Sequence, residues 1–133
     1  MPLSTGMKAA MLAGGETYIA DGGVLRMHTG DPGAAGTSNL VTPGNGYAHL
    51  TGVAFSVNSG YIDNDAPLVL GVRTGGGNLV LTHFSLMKAD GTTLVMTGAL
   101  TPTAPETEIA YNVGALPPAF AAHSLRATIA DPA

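Results

Sequence analysis

The sequence predicts an all-β protein: an antiparallel β-sandwich or jelly-roll-like domain with one short N-terminal helix or arm. Three observations carry this expectation. Seven or eight short apolar or alternating runs recur along the chain, each bounded by turn residues. Ala89-Asp90-Gly91 stands between two such runs, and Asp-Gly in that position is a strong hairpin signal. Helix signals occur in one segment only, near the N-terminus.

That segment comes first in the chain. Ser4 or Thr5 can cap a helix that runs to about Leu12. Ala9, Ala10, Met11 and Leu12 favour it, and Gly14-Gly15 stops it. Met7 and Met11 lie four apart and share a face. From Gly23 onward the signals are for strands. In VLRMH (24–28), Leu25 and Met27 point one way, Arg26 and His28 the other. YAHL (47–50) and VAFSV (53–57) flank Thr51-Gly52, a candidate bulge. LVLGV (68–72) and LVLTHFSLMK (79–88) flank RTGGGN (73–78), which reads as a hairpin loop. In TTLVMTGAL (92–100), Leu94, Met96, Gly98 and Leu100 face one side, and Thr93, Val95, Thr97 and Ala99 the other. Past the bend TPTAPE (101–106) come EIAYNV (108–113) and SLRATI (124–129). Phe55, Phe84 and Phe120 are expected in the core.

A chain of 133 residues fits one domain, 1–133, with residues 1–18 as helix or arm and 23–129 as the sandwich. A core of useful size is affordable at this length without staples. No linker divides the chain, and no internal repeat is visible. Cysteine is absent, which excludes disulfides and thiolate metal sites. No run of 18 apolar residues exists, so no helical membrane span is expected. The N-terminus makes a poor signal peptide.

Charge is scarce. Charged residues make up 11% of the chain, against about 25% in an average globular domain. From Pro32 to Ile62 there is no Asp, Glu, Lys or Arg, only small and weakly polar residues with a few apolar ones. Such a surface suits contact with other proteins, because little charge must be desolvated. Five scattered basic residues and a net charge of −4 argue against a nucleic-acid partner.

LRMHTGDPGAAGTSN (25–39) raises the question of a phosphate-binding loop. The P-loop pattern needs a Lys after its second Gly; here the only charge within 30–38 is the anionic Asp31. Gly30, Gly33 and Gly36 are spaced by three, and no helix follows, so a dinucleotide fingerprint is absent too. Asp31-Pro32-Gly33 is turn chemistry instead.

LRMHTGDPG, GNGYAH (44–49), VAF (53–55) and LTHFSLMKADGTTLVMTGAL (81–100) together resemble a family of small virion proteins of tailed bacteriophages. The resemblance spans roughly residues 20–129, and HTGDPG (28–33) and THFSLMKADGTTL (82–94) are its most specific parts. It departs at His49, where the family pattern calls for Arg, in the GGGN of 75–78, and in a shorter N-terminal helix. The resemblance implies a structural role on the virion surface and no reaction. Capsid decoration, with the major capsid protein as partner, is preferred over a minor tail or fibre-associated role with tail proteins as partners. A chain this short has no repetitive shaft or coiled coil. A homo-oligomer, dimer or trimer, is expected. A glycan-binding β-sandwich module is the alternative from another class. Met7, Met11, Leu12 and Tyr18 in the arm, with Tyr47 and His49 in the GNGYAH segment, are the expected interface residues.

No catalytic residue, cofactor or metal site is expected. The four histidines form no helical zinc pair. His28 and His83 sit on strand-like runs and are expected as satisfied, partly buried groups, with His28 bonded to the DPG turn. Asp63-Asn64-Asp65 opens like a calcium loop but lacks its Gly and closing Glu, so a polar turn is expected. Glu106 and Glu108 read as a solvated strand edge rather than a glycosidase pair.

Overall fold

The computed structural model describes residues 23–58 and 61–127, without the side chains of 57, 58, 61, 62, 126 and 127. The N-terminal helix expected from the sequence, with Met7, Met11, Leu12 and Tyr18, lies outside the described residues. Within them the protein is all-β and every strand pair is antiparallel. The strands are β1 (Gly23–His28), β2 (Leu50–Val53), β3 (Phe55–Asn58), β4 (Tyr61–Asn64), β5 (Leu68–Val69), β6 (Leu79–Leu81), β7 (His83–Lys88), β8 (Leu94–Ala99), β9 (Ile109–Tyr111), β10 (Ala119–Phe120) and β11 (Arg126–Ala127). A four-stranded sheet runs β2-β1-β7-β8 and a three-stranded sheet β11-β4-β3. Two ribbons, β5-β10 and β6-β9, complete the architecture.

One apolar cluster joins all four sheets. Leu25 and Met27 from β1, Phe84 and Leu86 from β7, Phe55 from β3, Leu81 from β6, Tyr111 from β9 and Phe120 from β10 meet in it. The expected inward residues of β1 and the three core phenylalanines are therefore in place. Strand alternation accounts for this: each contributes one face to the interior and keeps the other outside.

Two continuous apolar runs are each split between sheets. VAFSV leaves the four-stranded sheet at Val53 and enters the three-stranded one at Phe55. Both residues still face the core, so the pleat continues while the hydrogen-bonding partner changes from β1 to β4. LVLTHFSLMK breaks at Thr82, because Leu81 and Phe84 both reach the core at an odd spacing that one pleat cannot supply. Thr82 still bridges the sheet: its N–H donates to the His28 carbonyl, and its own carbonyl accepts from the Leu100 N–H.

Five local expectations are corrected. RTGGGN is not a hairpin loop, since β5 and β6 pair with β10 and β9 rather than with each other. Its backbone is tied to distant segments: the Thr74 N–H donates to the Asn45 carbonyl, and the Gly114 N–H donates to the Arg73 carbonyl. Asp63 and Asn64 are not in a turn but buried on β4. There the Asn64 side chain accepts from the Ser124 and Leu125 N–H groups and donates to the Ala66 and Ala121 carbonyls, which satisfies its whole hydrogen-bonding capacity. Leu94 does not share a face with Met96 and Gly98. The register slips so that Leu86 faces Met96 while Met87 faces Leu94, and the bulged Val95 turns Leu94 toward Gly36. YAHL contributes only Leu50 to a strand. SLRATI forms β11 only at Arg126–Ala127 among the described residues.

The bulge expected at Thr51-Gly52 is present. Gly52 has φ +65°, and β2 spends one residue more than β1 between Leu25↔Leu50 and Gly23↔Val53. The β7–β8 hairpin is present too. Asp90 Oδ1 accepts from the Thr92 and Thr93 N–H groups, its Oδ2 from the Thr93 hydroxyl, and Gly91 takes φ +73°. These bonds to the ionised form hold the Asp90 carboxyl down to about 2.

Candidate functional site

The loop after β1 folds back over the outer face of the four-stranded sheet. Its DPG turn forms as the sequence predicts: the Gly33 N–H donates to Asp31 Oδ1 at 2.8 Å, and Gly33 takes φ +73°. The polar outer face of β1 is thereby covered. Arg26 Nη2 donates to the Gly36 carbonyl, and Arg26 Nε donates to Ser85 Oγ at 3.0 Å. His28 Nδ1 donates to the Ser38 carbonyl at 2.8 Å, in the same loop but beyond the DPG turn. With Nδ1 protonated, Nε2 of the neutral ring accepts from the Ser85 hydroxyl at 2.8 Å. Burial holds the His28 pKa below 6.5, and the Arg26 charge works the same way against the opposing Ser38 bond.

A Ser–His pair at hydrogen-bond distance is the arrangement that activates a nucleophile. Here both residues are completely buried, and neither lines the two cavities described below. The third group on His28 is a backbone carbonyl rather than a carboxylate. The pair pins a loop to a sheet. His83, directly opposite His28 in the ladder, is half-buried and bonds Thr82 Oγ1 at 2.8 Å.

Tyr47 and His49 are brought together, though not at the surface as expected. Tyr47 is 3% exposed and sits in the core, edge-on to Tyr111 at 6.0 Å. Its hydroxyl accepts from the Met27 N–H and donates to His49 Nδ1 at 2.9 Å. Burial raises its pKa to about 12 and lowers that of the half-buried His49. The Tyr47 ring thus has almost no surface to offer a partner; a Tyr whose body packs and whose hydroxyl is bonded inside belongs to the interior.

Two open cavities of about 260 Å³ each flank the core. The first is a groove that includes Glu106 and Glu108 with Leu100, Ile109, Phe120 and Leu125. The two glutamates lie in the loop before β9 rather than on a strand edge, and both reach this groove. Phe120 is its only aromatic residue and is itself buried, so no flat platform for a sugar ring is present there. The second cavity is polar and has Arg73 in its wall. In the sequence Arg73 reads as a loop residue; the local signal for this corner is the Asn45-Gly46 dipeptide. Asn45 (φ 50°) and Gly46 (φ 87°) form a two-residue turn between Gly44 and Tyr47, whose N–H and carbonyl groups pair reciprocally at 2.9 Å.

Elsewhere, Asp63 is buried and its Oδ1 accepts from His123 Nδ1 at 2.9 Å. Among the described residues no three His, Asp or Glu side chains converge on a point that would hold a metal ion.

Among the described residues, the exposed large apolar side chains fall in one part of the chain's architecture. Val69, Val72, Val80, Val113 and Leu116 all belong to the two ribbons or the segments joining them, and Leu116 is 93% exposed. Over 66–87 and 109–125 the only Asp, Glu, Lys or Arg is Arg73, which is buried. The Leu70 N–H, donating to the Pro118 carbonyl, extends the β5-β10 ribbon, and the Tyr111 hydroxyl, donating to the Gly71 carbonyl, ties β9 to the segment after β5. No protein-family model matches the chain, and no curated protein matches it.

Proposed function

We propose that this chain is a non-enzymatic structural protein of a phage virion, a capsid decoration protein that lies on the head surface and binds the major capsid protein. The observation that carries the reading is the set of apolar side chains exposed on the β5-β10 and β6-β9 ribbons and the segments joining them, Val69, Val72, Val80, Val113 and Leu116, in stretches of chain whose only charged residue is the buried Arg73. A stable monomer in water gains nothing from leaving these side chains out, whereas a protein partner covers them with little charge to desolvate. The motifs around HTGDPG and THFSLMKADGTTL supply the phage assignment. The inaccessible Ser85–His28 pair supports a role without chemistry.

In this reading each copy makes modest contacts, and the symmetry of the shell multiplies them. A dimer or trimer matches the local symmetry axes of a shell. The test is addition of purified protein to particles that lack it, followed by electron microscopy. Stoichiometric density on the head supports the proposal. Density confined to the tail, or no binding, overturns it. Sedimentation gives the oligomer separately, and a monomer at micromolar concentration removes the preformed dimer or trimer.

A further inference from the structure

Glu106 and Glu108 line a groove with an apolar floor, and no described cation answers them. Both side chains are exposed. A turn before β9 sets their position: the Glu106 N–H donates to the Thr103 carbonyl at 3.0 Å. Among the described residues neither carboxylate has an ion-pair partner. The floor is made of Leu100, Phe120 and Leu125, each almost covered within the fold. Ala110, Ala119 and Ala121 also line the groove and are exposed. Their side chains end at Cβ and leave it unfilled; its volume is about 260 Å³.

The groove is continuous with the apolar ribbon surface, because Leu116, 93% exposed, belongs to both. A polypeptide lying on that surface meets the groove as well. A purely apolar segment would cover the floor but strip water from two carboxylates without pairing them. A lysine or arginine serves both: its aliphatic stem lies on the apolar lining and its charged head reaches the glutamates. The chain's net charge of −4 also draws a basic partner rather than an acidic one. The described surface of a second copy is a poor source of such a cation. Arg26 and Arg73 are bonded inside the fold, and Lys88 is half-buried and engaged. Lys8 and the side chain of Arg126 lie outside what is described.

We propose that this groove docks a segment of a different polypeptide, one that presents a lysine or arginine beside apolar side chains. Glu106 and Glu108 receive the cation, and Leu116 packs on the apolar neighbours. The groove goes beyond the virion reading and stands without it, since docking of this kind needs no particle.

The experiment is an NMR titration of the whole isotope-labelled protein with acetyl-Leu-Lys-Leu-amide. Peptides with norleucine or glutamate in place of the lysine are the controls. The lysine peptide is expected to shift the amides of 106–110 and 119–121 saturably, with a Kd on the order of millimolar. Norleucine should weaken binding by about threefold to tenfold, and glutamate further still. In a Glu106→Gln/Glu108→Gln variant the lysine and norleucine peptides should bind equally. Ala119→Trp fills the groove with both glutamates in place and should abolish binding of either peptide. All three positions are exposed, so these variants keep the fold. No localised shift in the wild-type protein, or a lysine preference that survives in the glutamine variant, overturns the proposal. So does an oligomer that dissociates in the glutamine variant on sedimentation, which names a second copy as the occupant. Tighter peptide binding in a Lys8→Gln variant names the chain's own N-terminal segment and overturns it equally.

Discussion

His28 illustrates how a single side chain holds two elements together. Its ring is neutral and fixed in one tautomer, because the Ser38 carbonyl can only accept and Ser85 must then donate. Replacing it with Ala leaves the Ser38 carbonyl and the Ser85 hydroxyl short of a partner inside the fold. The expected loss is about 3 kcal/mol in urea unfolding, the sum of unsatisfied groups and a small cavity. Ser85→Ala removes both the donor to His28 Nε2 and the acceptor of Arg26 Nε, and should cost about 2 kcal/mol. Gly98 makes a different point. It lies opposite Phe84, and a Cβ there would meet ring carbons at 2.6 and 2.8 Å. Gly98→Ala is expected to cost about 1–3 kcal/mol through overpacking, although Ala has the better intrinsic propensity. An unchanged unfolding midpoint would show that the ring yields freely.

At the scale of elements, the Asn45-Gly46 turn and the 71–74 segment form a single structural joint. A Cβ on Gly46 would stand 2.0 Å from the Val72 carbonyl oxygen, and one on Gly71 would stand 2.3 Å from the Gly46 oxygen. Backbone meets backbone here, and only glycine permits it. Gly46→Ala adds this clash to a φ of +87°, so a loss of more than about 3 kcal/mol is expected. Gly77 is the natural control, with φ +79° but open space where its Cβ would be. Gly77→Ala pays only the left-handed backbone cost, about 1 kcal/mol. Equal losses in the two variants, measured by chemical denaturation, would show that the close approach contributes nothing.

For the molecule as a whole, the buried histidines set a pH dependence. His28 and His49 both have folded pKa values below 6.5, burial being the main cause in each case and Arg26 adding to it. The unfolded chain therefore takes up protons from about pH 6.5 downward, before the folded protein does. Their contribution to stability is complete above pH 6.5 and declines as the pH falls toward the folded values. Denaturation midpoints measured from pH 7.5 to pH 5 should fall with acid, and the slope should shrink in a His28→Phe/His49→Phe double variant that still folds. A flat profile in the wild-type protein would mean that neither ring is held neutral. The scarcity of charge acts at this scale too. With 11% charged residues in the chain and exposed valines on the ribbons, little electrostatic repulsion opposes contact between this surface and another protein.

The all-β class and the local punctuation are legible in the order of residues. Alternation marked Leu25 and Met27 as inward, Asp-Gly marked the β7–β8 hairpin, Asp-Pro-Gly marked a turn instead of a phosphate loop, and Thr51-Gly52 marked a bulge. These features depend on backbone preferences and side-chain periodicity within a few residues, which a sequence displays directly. Tertiary structure alone decided the pairing partners and the environment of each polar group. RTGGGN looked like a hairpin loop because its flanks are apolar, yet distant strands bind those flanks. Asp63-Asn64 looked like a turn because the residues are polar, yet the 121–125 segment satisfies them inside. Tyr47 looked available and is core; Arg73 looked like a loop cation and is buried beside an open cavity. Burial and ion pairing arise from residues dozens of positions apart, and no short window of the chain contains both members of such a pair.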